Sequence, residues 1–306
     1  MGSGYRRGHN GRMRWLRHTL GQVLRNRVAG PEADAKAQRI WGTPGPRWHH
    51  PDDVIWHVNG DGAMYTGGLR SLLLQALHPA AMAGVAGHSG YKSDPWGRLQ
   101  RTSAFIAMTT YGPIDAADEL IQRVRAIHER VRGKTDRGEP YRASDPHLLA
   151  WVHIAETESF LTCFQRFGDR RLTQAEADEY VASAALVGEK LGAIDLPRTE
   201  AELRQALEDF RPELRASDAA VETARFLLVH PPIPKLAMPG YWLLAAGAIA
   251  TLPRWARAEL GLAWPRAFDP LLRGLGWLGT ATIRWALGAP QLADASRAAA
   301  ARSAVT

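Results

Sequence analysis

Helix-start signals recur along this chain, whereas runs of alternating apolar and polar residues do not. Ser93-Asp94-Pro95 and Ser144-Asp145-Pro146 each set a short polar cap before a proline at the first helical position. Thr173 with Glu176, and Thr199 with Glu202, have capping-box spacing, in which a hydroxyl and a carboxylate satisfy each other's backbone amides. Between these signals the apolar residues return at helical spacing. The expected fold class is all-α.

The signals predict helices over about 95–111, 113–132, 146–167, 173–191, 200–209 and 217–229. Upstream, Gly68 to about Gly84 is apolar and reads as a buried helix broken near Pro79. After Pro231, Pro232 and Pro234, helical stretches are expected over about 240–251, 253–260, 267–276 and 279–287. Leu236 to Pro253 carries no charged side chain. It sits at the short limit for a membrane span, roughly 17–25 residues, and Pro239 and Gly240 interrupt it. A buried core helix is the first reading, and a membrane-touching hairpin with residues 271–287 the second. The expected organisation is a basic arm and lead-in (1–45), one helical domain (46–290) and a frayed tail (291–306).

Charge is concentrated at the start. The formal net charge is +7, and seven arginines precede the first acidic residue, Glu32. Such an arm reads first as a solvated tail. Its second reading is a membrane-surface segment, with Trp15, Leu16 and Leu20 as the apolar side. No nucleic-acid-binding module accompanies it, so no nucleic-acid partner is expected. Arg6-Arg7 is followed by no apolar run, so no export signal is read. Cys163 is the only cysteine, which excludes an intramolecular disulfide, a thiolate zinc site and a c-type haem attachment. It fits a reducing compartment, and a cytoplasmic location with peripheral membrane contact is expected.

Three polar groups interrupt apolar helix faces. Arg98, Arg101, Thr102 and Phe105 fall within roughly a 100° arc of one helix. Guanidiniums beside an apolar face either meet an anion or form a solvated edge with ordinary ion pairs. His128 shares a face with Ile121, Val124 and Val131. A lone histidine there is more often a hydrogen-bonded core residue; as a ligand it suits haem iron or another imidazole-binding metal. His153 and Glu156, three apart, share a stripe with Leu149, Val152 and Phe160. Di-iron helical proteins use Glu-x-x-His twice, but here the order is reversed and no second copy is evident. A packing polar pair, or a supporting role near a cofactor, reads better. His57, His78 and His88 also lie in the apolar N-terminal half, and the last two suit helix-end capping. No GxSxG elbow, Walker loop, strand-linked GxGxxG or HExxH is present.

Taken in order, Gly67-Gly68-Leu69, Leu73-Leu74-Gln75-Ala76-Leu77-His78-Pro79, His88-Ser89, Arg98-Leu99-Gln100-Arg101-Thr102, Ile127-His128-Glu129-Arg130-Val131-Arg132-Gly133 and Trp151-Val152-His153 form a recognisable series. It resembles the MpaB-type oxygenase family, which shares its catalytic domain with latex-clearing rubber oxygenases, over about residues 50–265. The resemblance implies a globin-like helical core holding a non-covalent b-type haem. It implies that His128 is the proximal iron ligand and that Arg98, Arg101 and Thr102 form the family's Arg-x-x-(basic)-Thr motif, with His153 near the cofactor. The basic position can be an iron-ligating lysine in rubber oxygenases. Here it is Arg101, too basic to ligate iron, so a propionate or a bound-oxygen contact is expected. Rubber oxygenases also place a catalytic glutamate upstream of the motif, yet Gly68 to Ser93 contains no Asp or Glu. The expected activity is a haem-dependent oxygenase using dioxygen or peroxide on a hydrophobic organic substrate, with the 68–86 and 236–252 segments lining the pocket. Its rivals are a non-catalytic haem carrier or sensor, and a membrane-surface helical protein.

Overall fold

The computed structural model describes residues 5–30, 32–88 and 93–288. The helices are α1 (Tyr5–Ala29), α2 (Ala33–Ala37), α3 (Val54–Gly60), α4 (Ala63–Gln75), α5 (Pro79–His88), α6 (Pro95–Tyr111) and α7 (Ile114–His128). After a hairpin of β1 (Arg132–Lys134) and β2 (Pro140–Arg142) come α8 (Pro146–Phe167), α9 (Gln174–Leu191), α10 (Glu200–Asp209) and α11 (Asp218–Val229). The chain then forms α12 (Met238–Thr251), α13 (Arg254–Glu259) and α14 (Asp269–Leu287). The fold is all-α. The antiparallel hairpin is the one sheet among the described residues.

The capping signals act as read. Asp94 accepts the Gly97 amide at 2.9 Å, and Asp145 accepts that of His147 at 2.9 Å. Thr173 and Thr199 close complete capping boxes with Glu176 and Glu202. Each such cap contributes about 1 kcal/mol to its helix. The apolar 68–84 stretch does break before Pro79, which opens α5.

The core sits where α8 crosses α4. Leu73, Leu74, Trp151 and Phe164 have no exposed surface there. Arg70, 1% exposed, is the one charge that α4 sends inward. Its guanidinium makes a bidentate pair with Glu158 and also donates to Ser159 Oγ at 2.6 Å and the Thr251 carbonyl at 3.2 Å. α12 lies between α4 and α14. It is a core helix of 14 residues, and no helix among the described residues is long and apolar enough to cross a membrane.

Three elements differ from the expected ones. The chain leaves α7 at His128 rather than running on to Arg132, because Arg132–Lys134 pairs with Pro140–Arg142. The two helices expected over 267–276 and 279–287 are one, α14. Its glycines do not break it; Gly276 and Gly279 let α12 approach backbone to backbone. The basic arm is helical over Tyr5–Ala29 and packs against α14 and α6. The tail expected over 291–306 and the side chain of His88 lie outside the described residues.

Candidate functional site

His128 is the last residue of α7, and its carbonyl accepts the Val131 amide at 3.1 Å in the turn that follows. The residue is half-buried, and its Nδ1 is buried with no hydrogen-bond partner. Burial lowers the imidazole's pKa, with Glu129 opposing. The ring is therefore neutral at pH 7 and has a lone pair to offer. A buried nitrogen left without a partner costs about 1–3 kcal/mol, a cost that a bound group would remove.

His153 and Glu156 lie one turn apart on α8. His153 Nε2 is 3.3 Å from Thr157 Oγ1. Gly188 of α9 covers the ring; a Cβ there would stand 2.9 Å from His153 Nδ1. Burial, then Arg198, brings the His153 pKa down to about 4, so this ring too is neutral. Burial alone pushes the Glu156 carboxyl up to about 7. Tyr180 of α9 is 1% exposed. Its phenol is raised well above its ordinary range by burial and then by Glu156 and Tyr111. By area His153 and Glu156 remain half-buried, yet their charged forms are strongly disfavoured. Desolvation disfavours the charged form of each group, which is why the two shifts have opposite signs. Val85 on α5, Ile106 on α6 and Val152 on α8 are partly buried against the core.

The arginine motif of α6 faces outward in part. Arg98 is half-buried, while Arg101 and Thr102 are exposed. Arg101, with 65% of its side chain exposed, pairs with Asp94 at 3.2 Å. Among the described residues no hydrogen bond or ion pair joins Arg101 or Thr102 to His128 or His153. His78 serves the turn into α5: its Nδ1 accepts the Ala80 amide at 3.3 Å, and its ring tilts against Trp151. No group of three or more His, Cys, Asp or Glu among the described residues is arranged to hold a metal, so His153 and Glu156 do not belong to a carboxylate-rich cluster of the di-iron kind.

Residues 56–285 match the family described as "ER-bound oxygenase mpaB/B'/Rubber oxygenase, catalytic domain". The chain belongs to the mpaB/rubber oxygenase family. The match runs from Trp56 in α3 to Trp285 in α14 and so contains every residue of the site above. Membership points to an oxygenase-type function. No match was found among curated proteins or among solved structures.

In this mpaB/rubber oxygenase domain, sequence reasoning singled out His128, His153 and the α6 motif. It treated Glu156 only as a partner of His153 and passed over Tyr180. The signal for Glu156 was its place on the inner stripe of α8. Its raised pKa comes from burial in the folded chain, which no local pattern reveals.

Proposed function

We propose that this chain is a haem-b-dependent oxygenase-type oxidoreductase acting on a hydrophobic organic substrate, built on a globin-like haem-binding core with His128 as the iron's protein ligand. One observation carries the reading: within a domain of oxygenase family, His128 offers a neutral imidazole whose buried Nδ1 has no partner. Haem would bring the iron already held by its porphyrin, so a single protein histidine, His128, would suffice to anchor it. When bound, haem supplies the one-electron and oxygen chemistry that side chains lack, with dioxygen or peroxide as oxidant.

The chain's own residues have separable roles. His128 anchors the cofactor and stays neutral because it is buried. Arg98 and Arg101 of α6 provide cationic donors for a propionate or for developing negative charge, and Thr102 a hydroxyl donor. Glu156, with a pKa near 7, takes up or releases a proton at its carboxylate under neutral conditions. This matters because the segment upstream of the arginine motif holds no carboxylate. His153, neutral and held between Thr157 and Gly188, keeps the adjacent wall fixed. Val85, Ile106 and Val152, partly buried against the core, add apolar surface suited to a hydrophobic substrate.

The test is an absorption spectrum of the purified protein before and after haem reconstitution. A Soret band that is lost in His128→Ala supports the assignment. No Soret band after reconstitution overturns haem binding. Full haem content in His128→Ala moves the ligand role to His153. Soret absorbance without oxygen or peroxide consumption, across isoprenoid and lipid substrates, indicates a carrier or sensor instead.

A further inference from the structure

A second concave site lies on the other side of α8. Glu158 lines it, two residues beyond Glu156 and so roughly 200° around the helix. This cleft has a volume of about 590 Å³ and is bounded by α8, α10, the α12–α13 junction and the start of α14. Its lining includes six arginines and three carboxylates, and the carboxylates are already engaged. Glu158 is held by Arg70, Asp269 by Arg257 at 2.8 Å and by the Trp264 indole, and Glu200 by Arg204 at 3.3 Å. Arg166, Arg254, Arg266 and Arg273 remain, in no ion pair among the described residues, with Arg273 near enough to Asp269 to help hold its carboxyl down. Arg166 is destabilised as a cation by burial and then by Arg273 and Arg171, so Arg166 and Arg273 stand close enough to repel.

Arg166, Arg254 and Arg266 are exposed and Arg273 is half-buried. Like charges gathered on a concave surface raise the positive potential there and favour an anion. Guanidiniums match phosphate oxygens in two-point contacts. The volume falls within the usual range for a small-molecule site, roughly 300–1,000 Å³. Between Arg266 and Arg273 in the chain, Phe268 and Leu271 are 53% and 60% exposed. These two side chains expose apolar surface in the same chain segment as Arg266 and Arg273.

We propose that this cleft binds a phosphoryl group, carried by a soluble phosphorylated molecule or by a lipid headgroup. The site is separate from the His128 region, and the proposal does not depend on the oxygenase reading.

The experiment uses the full chain. Inorganic pyrophosphate is titrated calorimetrically. In parallel, flotation is measured with phosphatidylcholine vesicles alone, or containing phosphatidic acid or phosphatidylserine. The variants are Arg166→Gln/Arg273→Gln and, at two exposed positions, Arg254→Gln/Arg266→Gln, with Arg137→Gln as a distant control. Circular dichroism checks their folding, and the exposed pair keeps the test decisive if the first variant fails to fold. Binding of pyrophosphate, or selective flotation with phosphatidic acid, is expected to weaken about tenfold or more in a folded cleft variant and to survive in Arg137→Gln. Pyrophosphate binding identifies a soluble source, and binding to phosphatidic acid vesicles alone identifies a lipid. Failure of both probes overturns the proposal. So does binding that persists in the folded cleft variants, or flotation that is equal with phosphatidylserine.

Discussion

His153 and Glu156 sit one turn apart on α8, and the same burial drives them in opposite directions. The imidazole is lowered from an ordinary 6.5 to about 4, and the carboxyl is raised from 4.5 to about 7. Between about pH 4 and 6.5 the unfolded chain protonates His153 and the folded chain does not. The stability tied to His153 is therefore present above that window and lost as pH falls through it. Glu156 has the reverse sign: the folded chain holds a proton that the unfolded chain releases, so stability is lost as pH rises from about 4.5 to 7. Each shift corresponds to roughly 3 kcal/mol at full extent. The two slopes largely cancel between about pH 5 and 6.5. Urea unfolding of Glu156→Gln should gain stability with pH across that range, and His153→Gln should lose it. Parallel profiles for the two variants would argue against burial as the shared cause.

The crossing of α12 and α14 depends on two glycines. A Cβ on Gly247 would stand 2.8 Å from the Gly276 Cα, and one on Gly276 would collide with Gly247 and approach Phe167 Cζ at 3.0 Å. Backbone cannot yield as a flexible side chain does. Gly276→Ala should therefore destabilise by about 1–3 kcal/mol or more, seen as a lower urea midpoint with an unchanged slope. Gly274→Ala, where a Cβ meets nothing within 4 Å, is the control and should be neutral or slightly stabilising.

These glycines also show what could be read from the chain and what could not. Local chemistry is legible: the caps at Asp94, Asp145, Thr173 and Thr199 mark the starts of α6, α8, α9 and α10 because each works within a few residues. Residues 267–287 read as two helices and form one, because Gly276 and Gly279 serve the close approach of α12, some thirty residues away. Arg132 was assigned to α7 because its pairing with Arg142 across the hairpin is likewise non-local. At the site, residue types and spacing left His128 and His153 as histidines on apolar helix faces, and neither distinguishes an imidazole with a partner from one without. Glu156 gains its raised carboxyl only through burial in the folded chain.

Arg70 and Glu158 form a pair whose two members are unequally buried, at 1% and 13% side-chain exposure. Glu158→Gln leaves a guanidinium charge in the core and should cost about 3–5 kcal/mol. Arg70→Met leaves the carboxylate nearer solvent, beside Thr162 Oγ1 at 2.8 Å, and should cost less. The double variant Arg70→Met/Glu158→Gln should recover a substantial part of the Glu158→Gln loss. Strict additivity in a double-mutant cycle by chemical denaturation would contradict this coupling.

Arg101 separates folding from function more cleanly than any other residue of the α6 motif. Its ion pair with Asp94 is exposed on both sides, and such pairs contribute little to stability. The Gly97 amide is the largest single cause of the depressed Asp94 carboxyl, ahead of the Arg101 hydrogen bond, and that amide contact, the helix cap, does not involve the guanidinium. Arg101→Ala should therefore unfold at the same temperature as the parent, whereas Asp94→Ala, which removes the cap, should unfold earlier. If Arg101 contacts the cofactor or the developing charge, Arg101→Ala should retain less haem or turn over about ten- to a hundredfold more slowly. Arg101→Lys, which keeps charge but loses the planar fork, should recover only part of that deficit. A folded Arg101→Ala with unchanged Soret absorbance and unchanged oxygen or peroxide consumption would reduce Arg101 to a surface partner of Asp94.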